Sequence, residues 1–203
     1  MTLTLPLAET LAEGFTLAAF AKVSRFDSMK GDRMDSRIWI GCLASYNSGT
    51  LFGKWFPASD IREGIAEVLN TSPEHIAEEW FIADYDSFPN LGENPSIETV
   101  ERLAELLAKC HDPEAMLAYV SAEGRDYALE RAEAFEERYR GRFDSVEDYV
   151  SEMCEEVFAP ALNALPELLR YAIDWKSVAR DFECSGDIET IREGGSVLVF
   201  DTH

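Results

Sequence analysis

Four carboxylates and four aromatic side chains lie close together in the stretch EEWFIADYDSF, residues 78–88. Carboxylates at such short spacing can act as general acid and base, hold a metal ion, or present negative charge to a partner. The first role requires environments that push two pKa values apart, and acids are so frequent in this chain that close pairs arise by chance. The acidic members of the stretch are Glu78, Glu79, Asp84 and Asp86.

A metal site has weak support in the sequence. Asp84 and Asp86 have D-x-D spacing, but extending the pair as a calcium loop puts Phe88 and Pro89 where an oxygen ligand and a glycine are required. The four cysteines show no C-x-x-C spacing, and only three histidines are available to complete a site. The sequence therefore predicts no metal and no cofactor, and reduced, mostly buried thiols.

The common catalytic and nucleotide-binding motifs do not occur in the sequence. H-E-x-x-H, G-x-G-x-x-G, Walker A and G-x-S-x-G are all missing. The tryptophans and phenylalanines fall mostly at core positions of predicted strands and helices, which favours packing over a stacking platform for bases. We therefore expect a protein that is not an enzyme.

The net charge is the strongest compositional signal. The chain has 39 acidic and 18 basic residues, with a formal net charge of -21 at pH 7. Residues 1–57 hold five acidic and six basic residues, residues 58–124 hold 15 and three, and residues 125–203 hold 19 and nine. Self-repulsion of this size costs stability, and the few cations cannot neutralise nucleic-acid phosphates. We expect a basic partner and no nucleic acid.

Location follows from the hydrophobic pattern. The apolar run within residues 1–20 is interrupted by Glu9 and Glu13 and lacks a basic start. No segment has the uninterrupted apolar length of a membrane span. The sequence therefore predicts a cytoplasmic protein with no membrane partner.

An α+β fold is predicted from the hydrophobic periodicity. RIWIGCLASY and TLFGKWF, starting at Arg37 and Thr50, are predicted strands of a hairpin that turns at Asn47-Ser48-Gly49. Ser59 is the predicted cap of a helix that ends at Leu69, and residues 79–85 form a third strand. The first part of the chain is thus a small antiparallel sheet with a helix.

Beyond Pro95 the pattern becomes helical, and the chain ends with a predicted hairpin over residues 187–201 that turns at Gly194-Gly195. Ser145 with Asp148 predicts a capping box, and Gly186 a helix end. Residues 134–140 either continue a helix or start a strand. The predicted helices cover residues 96–109, 113–120, 125–133, 145–158 and 174–184.

Acidic side chains form rows along these helices. Five of the acids from Asp144 to Glu156 follow the spacing i, i+4, i+8, i+11, i+12, and four of them over roughly 20 Å give one charge per about 5–7 Å along the axis. Each DNA strand presents a phosphate about every 3.4 Å. A solvated face explains any one row, but not the near absence of compensating lysines. Besides the four acids of residues 78–88, the candidate partner-binding acids are Glu98, Glu101, Glu105, Asp126, Glu130, Glu133, Asp144, Glu147, Asp148, Glu152, Glu155 and Glu156.

Several segments together resemble the ArdA family of antirestriction proteins. They are IWIGCLASYNSGTLFGKWF (38–56), EEWFIADYDSFP (78–89), PELLRYAIDWKSVARDFECSGD (166–187) and the closing SVLVF. Residues 1–36 form an extension that has no recognised counterpart, and their role stays open. The resemblance implies an elongated, non-enzymatic homodimer of small consecutive domains: an α+β domain at 37–95, a helical domain at 96–138, and an α+β domain at 139–203 that forms the dimer contact.

The resemblance also implies a function. Such proteins imitate bent B-form DNA, occupy the DNA-binding groove formed by the specificity and methyltransferase subunits of type I restriction-modification complexes, and protect mobile genetic elements. Individual binding acids do not transfer by motif, so the candidate acids come from the local helix pattern. Two alternatives remain open: an acidic inhibitor or chaperone for another basic DNA-binding partner, and a metal-dependent hydrolase that uses Asp84 and Asp86.

Overall fold

The computed structural model describes residues 34–74 and 78–202, and these divide into two compact units, residues 34–137 and residues 138–202. Each unit combines one three-stranded antiparallel sheet with helices. The predicted α+β class is therefore confirmed. The finer division at residue 95 stays a prediction, and of the N-terminal extension only residues 34–36 lie within the described ranges.

The sheet of the first unit contains β1 (Arg37–Cys42), β2 (Gly53–Pro57) and β3 (Trp80–Asp86) in the order β2-β1-β3. Ile38 and Ile40 of the central strand are fully buried. The predicted antiparallel pairing of the first two strands and the third strand are therefore confirmed, whereas the predicted tight turn at residues 47–49 is replaced by a longer connection over residues 43–52.

The first predicted strand is too long, because the chain leaves β1 at Cys42 and forms a short helix, α1 (Leu43–Asn47). The buried Ser45 hydroxyl lies 3.0 Å from that of Ser72, which provides a partner that a continued strand would not offer. The second strand also starts later than predicted, at Gly53, where a Cβ atom would lie 2.2 Å from the carbonyl oxygen of Ile40.

The predicted cap at Ser59 is wrong. A 3-10 turn (Ala58–Asp60) comes first, and α2 (Ile61–Thr71) begins one residue after Asp60, which makes no side-chain capping bond. The Ser59 hydroxyl instead donates to the Asp60 carboxylate at 2.7 Å. Burial of Ile61 and Val68 against the sheet holds the helix in place.

Three helices complete the first unit: α3 (Ile97–Lys109), α4 (Pro113–Ser121) and α5 (Ala128–Arg138), the last preceded by a 3-10 turn (Arg125–Tyr127). The Ser96 hydroxyl caps α3, as its position predicts, by accepting a hydrogen bond from the amide of Thr99. Residues 134–140, for which the sequence allows either a helix or a strand, contain both. Helix α5 continues to Arg138, and a strand begins at Tyr139.

The second unit begins with β4 (Tyr139–Phe143), continues through α6 (Val146–Val157), α7 (Ala159–Ala164), α8 (Glu167–Arg170) and α9 (Trp175–Ser185), and ends with β5 (Ile188–Glu193) and β6 (Ser196–Asp201). Its strand order is β4-β6-β5. The closing hairpin turns at Gly194-Gly195 as predicted, with φ values of 58° and 96° that only glycine adopts readily.

Local capping positions the helices of the second unit. The Ser145 hydroxyl accepts a hydrogen bond from the amide of Asp148 at 3.1 Å, and the Asp174 carboxylate accepts one from Ser177 at 3.2 Å. Gly186 ends α9 in the left-handed conformation, as predicted. No helix in the described ranges is long and apolar enough to cross a bilayer.

Candidate functional site

Fourteen of the 16 candidate acids have exposed side chains, and Glu101 and Glu147 are partly buried. None belongs to the buried core, so all can be reached from solvent to some degree. They differ in whether a basic side chain of the same unit already neutralises them. This difference decides which acids have charge available for a partner.

Four acids of α6, together with Asp144 just before the helix cap, form the clearest uncompensated row, which we call the α6 row: Asp144, Asp148, Glu152, Glu155 and Glu156. All five side chains are exposed, whereas Val150 and Met153 on the opposite side of the helix are buried in the core of the second unit. Within residues 34–74 and 78–202, none of the five pairs with a basic side chain. The row therefore presents negative charge directly to solvent.

One member of the α6 row, Asp148, also takes part in the helix cap. The Ser145 hydroxyl donates to the Asp148 carboxylate at 2.5 Å and accepts from the Asp148 amide at 3.1 Å. The cap fixes where the helix begins, and the 3.6-residue period then places residues 152 and 156 on the same face one and two turns further. The sequence thus sets the position of each charge by local rules.

The acids of α3 are arranged differently, because basic side chains neutralise them in part. The Arg62 guanidinium donates to Glu101 at 2.6 Å and to Glu98 at 3.4 Å, while Arg102 donates to Glu105 at 2.9 Å. Hydrogen bonds from its own backbone amide and from the Ser96 hydroxyl, followed by that from Arg62, lower the pKa of Glu98. Such exposed pairs contribute little to stability, but they reduce the charge that a partner meets.

Of the acids near α5, some have a basic partner, as on α3, and one has none, as in the α6 row. Asp126 belongs to the 3-10 turn before the helix, and its carboxylate lies 3.8 Å from the Arg125 guanidinium. Glu133 lies 3.3 Å from Arg102, so it joins the charge network of α3. Glu130 is exposed and has no ion-pair partner among the described residues.

The acids of residues 78–88 flank or belong to β3. Asp84 and Asp86 are exposed, and the Asp84 carboxylate accepts a hydrogen bond from the Tyr85 amide at 2.8 Å. The rings of Tyr85 and Phe88 stack with centroids 6.2 Å apart, and Phe88 is buried. In the described part of the chain, no third histidine, cysteine or carboxylate joins Asp84 and Asp86 to complete a metal site.

Two features were missed from the sequence. Cys110, His111 and Glu136 bring three possible ligand atoms within 4.8 Å of one another, and only the adjacent Cys-His pair hints at this. Burial raises the pKa of the Cys110 thiol to about 12.

The second feature is an exposed apolar segment around α8, where Leu168 is 80% and Tyr171 is 83% exposed.

Comparison with known protein families gives one clear match. The family model described as antirestriction protein (ArdA) matches residues 38–197, which is most of the chain. The comparison with curated proteins gives no match. The matched range begins within β1 and ends within β6, so it covers at least part of each sheet and all the helices of the described ranges.

Proposed function

The chain belongs to the ArdA family of antirestriction proteins, and from this premise we propose that it inhibits type I restriction-modification enzymes by imitating the phosphate backbone of B-form DNA. The protein occupies the cationic groove formed by the specificity and methyltransferase subunits, and target DNA is excluded by competition. The protein acts by binding and catalyses no reaction.

The observation that supports this proposal most strongly is the α6 row. Its five carboxylates are exposed and have no basic partner within the described ranges, and the four on the helix, from Asp148 to Glu156, extend over roughly 12 Å at about 1.5 Å per residue. This length corresponds to about four phosphates of one DNA strand. A groove that binds phosphates with several lysines and arginines can therefore meet several carboxylates of the row at once.

The energetics of such a row favour a basic partner. Like charges at i and i+4 on a helix repel each other by a few tenths of a kcal/mol each, so the free protein carries an unfavourable electrostatic energy. A cationic groove removes this repulsion and adds attractive pairs. Because phosphate contacts position a ligand without reading bases, inhibition should not depend on the target sequence of the enzyme.

A competition experiment tests the proposal. A purified type I enzyme is saturated with a fluorescent duplex that carries its target sequence, and the protein is then added. We expect displacement of the duplex, weaker displacement at higher salt, and reversal by excess unlabelled duplex. Inhibition of cleavage without displacement of the duplex would contradict the mimicry.

Two cellular experiments separate this function from the alternatives. Unmodified phage should plate more efficiently on a restricting host that contains the protein, while a non-restricting host shows no change. A pull-down should recover methyltransferase and specificity subunits. Recovery of only histone-like or ribosomal proteins would favour an inhibitor or chaperone for another basic partner, and a magnesium-dependent activity lost on Asp84→Asn and Asp86→Asn would favour the hydrolase.

We also propose the homodimer, the domain division at 37–95, 96–138 and 139–203, the cytoplasmic location and the link to mobile genetic elements that the family resemblance implies. The exposed apolar side chains around α8 support a dimer contact within residues 139–203, because an otherwise acidic surface has little reason to expose them. Leu168→Glu is expected to convert the dimer to a monomer in sedimentation analysis while the circular dichroism spectrum stays that of the folded protein. A dimer that persists would exclude this contact.

A further inference from the structure

Three side chains with metal-binding atoms converge where α3 ends and α5 ends. Cys110 is the residue that follows α3, His111 is next to it, and Glu136 lies in the last turn of α5. The Nδ1 atom of His111 lies 3.1 Å from a carboxylate oxygen of Glu136. The three ligand atoms all lie within 4.8 Å of one another.

The donor set has a clear chemical preference. Sulfur from cysteine, nitrogen from histidine and oxygen from glutamate are the ligands that zinc accepts in proteins, with bond lengths of about 2.0–2.3 Å. A tetrahedral ion with these bonds separates its ligand atoms by about 3.3–3.7 Å. The separation of 3.1 Å between His111 and Glu136 and the limit of 4.8 Å for all three atoms are close to that range.

The electrostatic surroundings also favour a cation. The amide of Cys110 donates to the carbonyl of Leu106 at 2.9 Å, so the thiol lies directly at the carboxyl end of α3. Glu136 lies two residues before the end of α5, so the carboxyl ends of two helices lie close to the three ligand atoms. The partial negative charge at a helix carboxyl end stabilises a nearby cation.

The ring of His111 is partly fixed in place. Its centroid lies 6.3 Å from that of Phe135, which is fully buried. The His111 side chain is 37% exposed, so solvent reaches the imidazole while one side of it packs on the protein. Cys110 is half-buried. The site is thus open to solvent on one side, which leaves room for water as a fourth ligand.

We propose that Cys110, His111 and Glu136 bind one zinc-class divalent cation that links the end of α3 to α5. The sulfur of Cys110, a ring nitrogen of His111 and a carboxylate oxygen of Glu136 supply three bonds, and a water molecule supplies the fourth. On binding, the Cys110 thiol releases its proton to solvent and coordinates as the thiolate. The ion replaces the hydrogen bond between His111 and Glu136. This site is independent of DNA mimicry, and either proposal can fail without the other.

Cobalt(II) titration of the full chain tests the site, because a cobalt-thiolate bond produces a charge-transfer absorption that carboxylates and imidazole do not produce. We expect one equivalent of Co²⁺ to produce this absorption, and Zn²⁺ to abolish it by displacement. Loss of an outer partner of a zinc ligand typically costs about 10–100-fold in affinity, so His111→Gln should weaken binding at least that much.

Matched variants separate the site from other sulfur atoms and from the acidic surface. Cys110→Ser should lose the charge-transfer absorption, whereas Cys184→Ser, which changes an exposed cysteine elsewhere, should retain it. If Cys110→Ser does not fold, as judged by circular dichroism, His111→Gln at an exposed position carries the test. An absorption that survives Cys110→Ser, or an affinity that His111→Gln does not change, would overturn the proposal, as would a wild-type protein that gives no absorption.

Zn²⁺ should also raise the thermal unfolding temperature of the wild-type protein, because a ligand that binds only the folded state stabilises it. The same Zn²⁺ concentration should have a smaller effect on His111→Gln. An equal rise in both proteins would show that the ion binds elsewhere on the acidic surface.

Discussion

Neutralising the second half of the α6 row should weaken inhibition without weakening the fold. The change is a triple variant, Glu152→Gln, Glu155→Gln and Glu156→Gln, which removes three exposed charges that have no basic partner among the described residues. Each carboxylate that meets a lysine or arginine contributes about 0.5–1 kcal/mol to binding. Three such contacts correspond to about 1.5–3 kcal/mol, which is a loss of about 10- to 150-fold in affinity.

The effect of the triple variant on stability has the opposite sign. Residues 152 and 156 are one turn apart, residues 152 and 155 are neighbours on the same face, and residues 155 and 156 lie in the last turn of α6, where the helix dipole disfavours negative charge. Removing the charges should therefore raise the free energy of unfolding by about 0.5–1 kcal/mol. Urea unfolding measures this gain, and displacement of labelled duplex from a type I enzyme measures the loss of affinity.

A second triple variant controls for net charge. Glu63→Gln, Glu93→Gln and Asp181→Asn remove the same number of exposed charges from positions outside the candidate acids. This control should lose much less affinity, because its carboxylates do not form a row on one helix face. The reasoning is refuted if both triple variants bind equally well, or if the α6 variant still inhibits as the wild-type protein does.

Three further predictions concern single positions. Ser145→Ala should lower the free energy of unfolding by about 1 kcal/mol in urea, and Ser145→Thr should restore most of it, because the hydroxyl caps α6. Gly186→Ala should cost about 1–2 kcal/mol in the same assay; its φ of 78° is strained for alanine, whereas a Cβ there meets no atom within 4 Å. Lys109→Gln should raise the pKa of Glu105 toward its usual value in an NMR pH titration, since the Lys109 hydrogen bond is the largest cause of its lowering. The pair contributes its full stabilisation above the unfolded-state pKa of Glu105, and this contribution is lost as pH falls through the lowered value.

The helices that the sequence predicts well are those with local signals. α3, α6 and α9 each begin at a residue whose side chain accepts from an amide three residues on, at Ser96, Ser145 and Asp174. Such signals depend on neighbours in sequence, so periodicity and capping suffice to find them. The exposure of the α6 row follows from the same pattern.

The features that the sequence leaves undecided or misses depend on distant partners. β4 has the sequence YRGRF, and its arginines pair with acids from the last two strands: Arg140 donates to Asp201 at 2.8 Å, and Arg142 lies 2.9 Å from Glu193. Charged residues are unusual in a short strand, but Arg140 and Arg142 stabilise β4 in the sheet through these pairs. Arg62 likewise neutralises acids of α3 that lie 36 and 39 residues further along, and no local pattern indicates such a pair.

The strand order β4-β6-β5 has a consequence for how the second unit folds. The β5-β6 hairpin closes through two glycines, whereas Tyr139 pairs with Phe200, which is 61 residues further along the chain. Closing the longer loop costs roughly 3 kcal/mol more in chain entropy. The hairpin should therefore form first and present β6 as a template on which β4 docks late. Changes at Gly194 should slow refolding, while changes at Arg142 should mainly accelerate unfolding.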